Sequence, residues 1–509
     1  MNASSALIWL LALPLVASAA VYLFGRIGVR ATGSAAAAPW LGGLALAATA
    51  VPLWIVARTV LSLGAVSVRV GEIGLRMDGV GLLLAATVLL LTFLVLIFSV
   101  PYMRGEEGEE KYYALLVAMA ASMIGLGCAD DLFNLWVWFE AMAVTSFLLV
   151  AFYRTQQASL EAGVKYLVQS AVGSALVLLG IALVFGRTGT LQLSQVLASV
   201  TADGAGPGLL AAGALFLVGF GVKTAMVPLH TWLPDAHSMA PSGISAMLSG
   251  VVIEAGLVAM LRSLGVLAPV ASTWGALILA FGALNIIVGN LMALRQTQVK
   301  RLLAYSSVSH MGYMLLGFGV AVGYGVANGA AGGFFHLANH ALMKGLAFMA
   351  VGALLYSLKL AHGSHEPLMV DDLDGASNRY PITALALSVA LLALGGLPPL
   401  SGFMSKWQIM VAGFETRNAG VELLVIFAAV NSVLSLAYYA PLVNRMYRNA
   451  PSPVVAAGRP VTFLLGAPLV VLAVAVVVLG VWPGLVDFIT GPAGDQLVAI
   501  FAAAPAWAN

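Results

Sequence analysis

The run Lys223-Thr-Ala-Met-Val-Pro228-Leu-His230-Thr-Trp232-Leu-Pro234-Asp235-Ala-His237 follows an apolar stretch and decides the reading of the whole chain. Lysine in hydrocarbon is costly, and proline frees backbone groups that hydrocarbon cannot satisfy. Pro228 and Pro234, with His, Trp and Asp between them, read as a membrane helix that unwinds locally and admits water, rather than as a plain kink. A second run repeats the device: Leu397-Pro398-Pro399-Leu-Ser-Gly402-Phe-Met-Ser-Lys406-Trp407. Interrupted helices at corresponding places in two halves of a chain are the best sequence pointer to a transport site.

Composition agrees. The 509 residues are 61% hydrophobic and 9% charged, with a mean hydropathy of +1.00; a soluble chain carries about 25% charge. The runs are apolar on every face and too long for barrel strands. An all-α integral membrane protein is expected. At about 20 apolar residues per crossing, the length accommodates roughly 14 transmembrane helices. Val16-Ala-Ser-Ala19 resembles a signal-peptide cleavage site, but no Lys or Arg precedes Arg26, so the positive leader region is missing and Ser4–Phe24 reads as the first spanning helix. The single cysteine, Cys128, excludes an internal disulfide and an all-cysteine cluster site. The net charge of +2 gives no reason to expect nucleic acid.

Apolar runs fall at 4–25, 38–63, 79–101, 111–129, 131–153, 163–185, 207–229, 241–265, 271–294, 302–324, 327–357, 381–412, 421–444 and 461–485. Lys and Arg concentrate after odd-numbered runs, for example Arg26, Arg104, Lys111, Lys300, Arg301 and Arg445. The positive-inside rule then puts those loops in the cytoplasm, and both termini on the external side of a prokaryote-type inner or plasma membrane. Helices four to eight and nine to thirteen read as two copies of one unit, each broken at its fourth helix. Five helices per unit predicts an inverted repeat with a site near the midplane. The divisions are 1–110 (helices 1–3), 111–265 (first repeat), 266–450 (second repeat) and 451–509 (helix 14 and a tail). The charge run Arg104-Gly-Glu106-Glu107-Gly-Glu109-Glu110-Lys111 reads as a solvated loop, with a partner contact as the alternative. His362-Gly-Ser-His365-Glu366 with Asp371, Asp372 and Asp374 has metal-ligand residue types, but polar loop composition explains it. No metal is expected.

Titratable residues recur inside the apolar runs. Glu140 lies mid-helix in Trp136-Val-Trp138-Phe139-Glu140, Lys165 begins the sixth run and Lys223 lies in the seventh. Glu254 lies in the eighth, His310 in the tenth, His336, His340 and Lys344 in the eleventh, and Lys406 in the twelfth. Each central charge costs about 2.5–3.5 kcal/mol on translocon scales, so five or six unpaired ones cost on the order of 15 kcal/mol. Ion pairs that only fix helix packing, such as Glu140 with Lys223, account for single members. Acids and bases on so many helices suit proton hopping better. A carboxylate beside Lys223 keeps the proton on the lysine, and withdrawing it releases the proton. Histidine bridges such sites because it titrates near neutrality. His336, His340 and Lys344, at i, i+4 and i+8, share one helix face; two of them suit a metal, but no further Glu or Cys ligand stands in a fitting pattern. Gly213, Gly219 and Gly221 read as packing residues, and no nucleotide loop, haem motif or cluster ligand set is visible, so no cofactor is expected.

On these residues the chain resembles a known superfamily. Lys223…Pro228-Leu-His230-x-Trp232-Leu-Pro234-Asp235-Ala-His237 is similar to the signature of the antiporter-like subunits of respiratory complex I (NADH:quinone oxidoreductase subunits of the M/N/L type). They share a superfamily with membrane subunits of energy-converting hydrogenases and of the multisubunit sodium/proton antiporter. Trp138-Phe139-Glu140, Lys300-Arg301-Leu-Leu-Ala-Tyr305-Ser306-Ser307-Val-Ser309-His310, His336-x3-His340-Ala-x2-Lys344-Gly345 and Gly396-Leu-Pro398-Pro399-Leu-Ser-Gly402-Phe-x2-Lys406 carry the likeness over roughly residues 75–445. The resemblance implies 14 helices with two inverted five-helix repeats. It implies a Glu140–Lys223 charge pair modulated by Lys165, and a central polar axis of His310, His336, His340 and Lys344 ending at Lys406, with His230, Asp235 and His237 in support. It implies proton movement, or sodium in some members, driven by a peripheral redox arm through other membrane subunits. A secondary sodium/proton antiporter subunit is the alternative, and a membrane scaffold a third reading. One departure stands out: relatives usually offer Lys or His on the eighth helix where this chain has Glu254, an acid that would hold Lys223 protonated rather than pass its proton along, or else an intermediate carboxylate or a sodium ligand.

Overall fold

The protein, described here by a computed structural model covering residues 1–204 and 206–502, is a bundle of α-helices with one β-hairpin. Helices α1 (Ala3–Thr32) and α2 (Ala37–Leu63) lead into the hairpin of β1 (Ala65–Val70) and β2 (Ile73–Asp78), paired with Val70 opposite Ile73. Asp78 then caps α3 (Gly79–Tyr102) by accepting from the Gly81 N–H at 2.9 Å, which satisfies a donor that the first turn leaves free. Next come α4 (Glu109–Cys128), α5 (Leu132–Val150), α6 (Gln157–Thr188), α7 (Leu193–Asp203), α8 (Pro207–Lys223), α9 (Trp232–Met239) and α10 (Ser242–Met247). A π turn over Leu248–Val252 joins α10 to α11 (Ile253–Gly265). The second part holds α12 (Trp274–Ala293), α13 (Val299–Tyr324), α14 (Ala327–Leu358), α15 (Pro381–Gly395), α16 (Ser401–Glu415) and α17 (Ala419–Arg448). The short α18 (Pro453–Ala457), then α19 (Phe463–Val481) and α20 (Asp487–Phe501), complete the described chain.

Among the described residues, 11 helices are long and apolar enough to cross a membrane, or 12 if the pair Asp371–Asn378 and Pro381–Gly395, bent by 119°, is one span. This is fewer than the roughly fourteen expected from length. The shortfall lies where function interrupts the apolar pattern. Lys223 ends α8 after 17 residues, α15 and α16 are 15 residues each on either side of a break, and α13 carries Lys300, Arg301 and His310.

Charge sets the layering. The most apolar 18-residue window of Ser242–Gly265 is buried throughout and that of the segment containing α14 is 94% buried, whereas that of α1 is 28% buried. The helices bearing Glu254, His336, His340 and Lys344 thus form the centre, because hydrocarbon does not tolerate their polar groups. Close approach makes that centre compact. A Cβ on Gly312 of α13 would lie 2.6 Å from the Gly282 carbonyl oxygen of α12, so only small residues let these two backbones meet.

Both helix breaks are present, and side chains satisfy the backbone groups that each one frees. The first spans 224–231. Asn285 of α12 accepts the Val227 N–H at 2.8 Å and donates to the Ala225 carbonyl at 3.1 Å, while Trp232 Nε1 donates to the Val222 carbonyl at 2.8 Å. Pro228 lies inside this break. Pro234, expected there too, instead sits in the first turn of α9, where a missing N–H costs nothing. The second break spans 396–400 and contains Pro398 and Pro399. Here Asn339 of α14 donates to the Ser401 carbonyl at 3.0 Å, and Ser432 of α17 to the Gly395 carbonyl at 3.2 Å.

Three loop and tail expectations change. The charge run is not uniformly solvated, since Glu110 is buried and accepts from Arg26 at 3.3 Å. The Asp371–Asp374 loop is an ion-paired hinge: Lys359 binds Asp372 at 2.8 Å and Arg445 holds Asp371 and Asp374. The segment read as a tail contains α20, whose Gln496 accepts the Gly79 N–H at 3.0 Å and donates to the Gly64 carbonyl at 3.1 Å.

Candidate functional site

Lys223 is the last residue of α8 and is buried. Its Nζ donates to the Tyr166 hydroxyl of α6 at 2.5 Å and to Ser146 Oγ of α5 at 3.2 Å. The Tyr166 ring stacks on Trp232 with centroids 4.0 Å apart and planes 3° apart, and Nζ lies 4.5 Å from the Tyr166 centroid. Two hydroxyls and an aromatic ring therefore hold the ammonium group. Glu140, on α5, is half-buried, and its Oε1 has no hydrogen-bond partner. The implied Glu140–Lys223 pair is not a direct contact, because Ser146 and Tyr166 take the lysine's hydrogen bonds.

Lys165 precedes Tyr166 but faces elsewhere, since consecutive helical residues do not share a face. Half exposed, it pairs with Glu161 at 2.7 Å and with Asp235 at 3.2 Å, and Asp235 also binds Arg301 at 2.8 Å. Its connection to Lys223 runs through α9, which carries both Asp235 and the Trp232 ring beneath Tyr166. His230 is buried edge-on to Tyr305, with Nδ1 unpartnered. His237 is fully buried, stacks on Phe348 at 4.6 Å, and has neither ring nitrogen bonded. Lys300, also buried, donates to the Ala240 carbonyl just beyond α9.

Three of the expected axis residues, His310, His336 and His340, come together with Glu254 in one buried line. Ser405 Oγ lies 2.8 Å from His336 Nδ1, and His336 Nε2 lies 3.0 Å from His310 Nδ1. The His310 and His340 ring centroids are 5.2 Å apart. His340 Nδ1 in turn lies 2.8 Å from Glu254 Oε1, both side chains having no exposure. One turn further along α14, Lys344 donates to the Leu303 carbonyl at 2.8 Å and to Ser306, which meets the Tyr439 hydroxyl. Lys406, one residue after Ser405, donates to the Leu394 carbonyl at 2.9 Å and to Ser432 Oγ at 3.0 Å, over the Tyr313 ring at 4.6 Å. The arrangement brings together imidazoles, hydroxyls and amines, groups whose chemistry lets each take and give a proton.

Sequence reasoning missed the uncharged partners of these groups and of the two breaks: Tyr166, Ser146, Asn285, Asn339, Ser306 and Tyr439. Single hydroxyls are common in membrane helices and carry no periodic signal. Asn285 and Asn339 had one, being amides in apolar runs with an obligation to find partners. Among the described residues no group of three or more His, Cys, Asp or Glu is arranged to hold a metal ion.

Known proteins share this architecture. The transmembrane family described as NADH:quinone oxidoreductase/Mrp antiporter matches residues 129–435, and the N-terminal family of complex I chain 5 matches residues 67–113. NADH-quinone oxidoreductase subunit N of Salinibacter ruber is 35% identical over 459 residues, 88% of this chain and 88% of that one. F(420)H(2) dehydrogenase subunit N of Methanosarcina mazei is 33% identical over 394 residues, 76% of this chain and 78% of its own length. Among solved structures, a chain of the archaeal membrane-bound sulfane sulfur reductase superposes with a TM-score of 0.86 at 28% identity, covering 98% of this chain and 99% of that one. A chain of Thermus thermophilus respiratory complex I superposes with a TM-score of 0.75 at 29% identity, covering 94% and 98%. The chain belongs to the NADH:quinone oxidoreductase/Mrp antiporter family of transmembrane proteins.

Proposed function

We propose that this chain is the proton-translocating, antiporter-like membrane subunit of a complex I-type or related redox-driven complex. The observation that carries the reading is the buried line of titratable groups from Glu254 through His340, His310 and His336 to Ser405, flanked by a lysine at each helix break. In this reading Glu140 and Lys223 load the first half-channel, and Lys165 tunes Lys223 through Asp235 and α9. His310, His336, His340 and Lys344 conduct along the centre, and Lys406 delivers at the second half-channel. His230 and His237 serve the polar surroundings of the first break. The two halves, 111–265 and 266–450, act as inverted repeats after a first division, 1–110, and before a last, 451–509. Both termini lie on the external side of the membrane. The chain needs no cofactor of its own and takes its energy from a peripheral redox arm through neighbouring membrane subunits. The relatives named as subunit N support that placement.

The test is Lys223→Ala in the assembled complex, in inverted membrane vesicles supplied with the electron donor. Loss of substrate-driven proton uptake with assembly intact is the expected result. Normal uptake with reduced assembly would make the buried charges a scaffold and defeat the proposal. Mass spectrometry of the purified complex adds a second check: redox subunits are expected, and small membrane partners alone would point to a secondary antiporter.

A further inference from the structure

We propose that Glu254 and His340 form a buried acid–base pair that shares a single mobile proton and hands it between the two halves of the relay as a neutral unit rather than as a cation. The inference rests on the proton-carrying reading above and concerns the buried acid on the chain's eighth expected span. Three observations support it.

First, the pair is isolated. Glu254 Oε1 and His340 Nδ1 are 2.8 Å apart with no exposure, and the remaining heteroatom at each end, Glu254 Oε2 and His340 Nε2, has no partner. A buried polar atom without a partner is costly, so these two free ends are unfavourable unless a proton or water visits them. Second, the pair stands between the halves. The backbone of α11 meets Lys223 at Gly256, where an added Cβ would lie 3.1 Å from the lysine Cβ and Cγ. His340 meets His310 with ring centroids 5.2 Å apart. Third, Glu254 lies two residues after the π turn of Leu248–Val252, a local irregularity found mostly at functional sites. The ionisable groups around the pair are Lys223 from α8, His237 from α9, His310 from α13, His336 and Lys344 from α14, and Lys406 from α16. Every one of them is a base, and the further acid named above, Glu140, lies on α5, the helix beside Lys223.

The proton balance is simple. With Glu254 ionised and His340 carrying its proton on Nδ1, the pair bears one negative charge. A proton arriving on Nε2 makes an imidazolium facing the carboxylate. Moving the Nδ1 proton to Oε1 then leaves a carboxylic acid beside a neutral Nε2–H imidazole. One proton has entered, none has left, and the pair is neutral in either form; its titration belongs to both residues together. Departure of the carboxyl proton toward the Lys223 side leaves the carboxylate beside an Nε2–H imidazole, and return of the ring proton to Nδ1, by a ring flip or tautomer exchange, resets the pair. The same steps run backwards in the opposite direction. Carried as a cation, the proton would sit uncompensated among six other bases, which the low-dielectric centre disfavours.

The test uses the whole complex. Glu254→Gln keeps an oxygen acceptor for His340 but cannot take a proton. Expected are normal assembly, a fall of about tenfold or more in donor-driven proton uptake by inverted vesicles, as for loss of a general acid–base, and loss of a deuterium-sensitive carboxyl C=O band from the infrared difference spectrum. Wild-type uptake in Glu254→Gln, or a wild-type spectrum with no band assignable to Glu254 at any pH, overturns the pair. If Glu254→Gln does not assemble, His340→Gln takes its place: the Glu254 band is expected to shift when its partner changes, and an unmoved band overturns the proposal. Wild-type vesicles that take up no protons would overturn the function assigned to the whole chain, whereas the infrared band reports on the pair alone.

Discussion

The two broken helices hold their lysines differently. Lys406 reaches back across its break to a backbone carbonyl, Leu394, near the end of α15, and adds Ser432. The C-terminal end of a helix offers unpaired carbonyls and the negative end of its dipole, both of which suit a fixed cation. Lys223 is itself the last residue of its half-helix. It has no carbonyl partner, only the Tyr166 and Ser146 hydroxyls, with the unpartnered Oε1 of Glu140 on the neighbouring helix. The second site is built to keep its ammonium group in place. The first holds it by two side-chain hydroxyls alone. Two breaks that read alike in sequence therefore differ in what their tertiary neighbours supply.

The comparison can be broken most decisively at Gly402. A Cβ there would overlap the Ala393 carbonyl oxygen and approach Met343 Sδ. Backbone cannot yield as a side chain can, so Gly402→Ala is expected to cost about 3 kcal/mol and to lower the thermal midpoint of the purified complex. A complex as stable as wild type would mean that the second break is not rigid. Tyr166→Phe comes next. It keeps the stack on Trp232 but removes a hydrogen bond to a charged group, worth about 1.5–3 kcal/mol, and is expected to change proton uptake per electron while assembly stays normal. Uptake identical to wild type would show that the hydroxyl does not hold the lysine. Ser432→Ala is expected to cost only about 1 kcal/mol, because the Leu394 carbonyl remains; its uptake rate in vesicles would therefore change less than that of Tyr166→Phe. An equal or larger change would erase the contrast between the two sites. Gly256→Ala is the mildest. Its new Cβ would press on the flexible stem of Lys223 at 3.1 Å and on Thr224 Oγ1 at 3.2 Å, contacts that a few tenths of an ångström relieve. A loss of stability below about 1 kcal/mol is expected, read from the same thermal midpoint.

Much of this was legible in the chain itself. Glu254, His310, His336, His340, Lys344 and Lys406 stood out because charge within an apolar run is expensive wherever the run folds. The breaks stood out because proline removes a donor regardless of context. Pro234 shows the limit of that logic: the same residue is tolerated in the first turn of α9, and only the position where the helix restarts reveals it. Lys165 shows another. It was readable as a charge in a helix, but its partners, Glu161 one turn away and Asp235 on α9, make it an exposed ion-pair residue rather than a neighbour of Lys223.

What the sequence determined by itself was energetic: a membrane protein of long helices, two interruptions, and a set of buried acids and bases that must meet one another. Which of them meet was decided by tertiary structure. The 2.8 Å contact between Glu254 and His340 joins α11 to α14, the Tyr166 hydroxyl stands at Lys223 where Glu140 was expected, and Asn285 and Asn339 close the two breaks from other helices. A burial cost belongs to a residue and can be read from its place in an apolar run. A hydrogen bond belongs to a pair, and in a helical membrane protein its two members lie on separate helices whose contact no local pattern records.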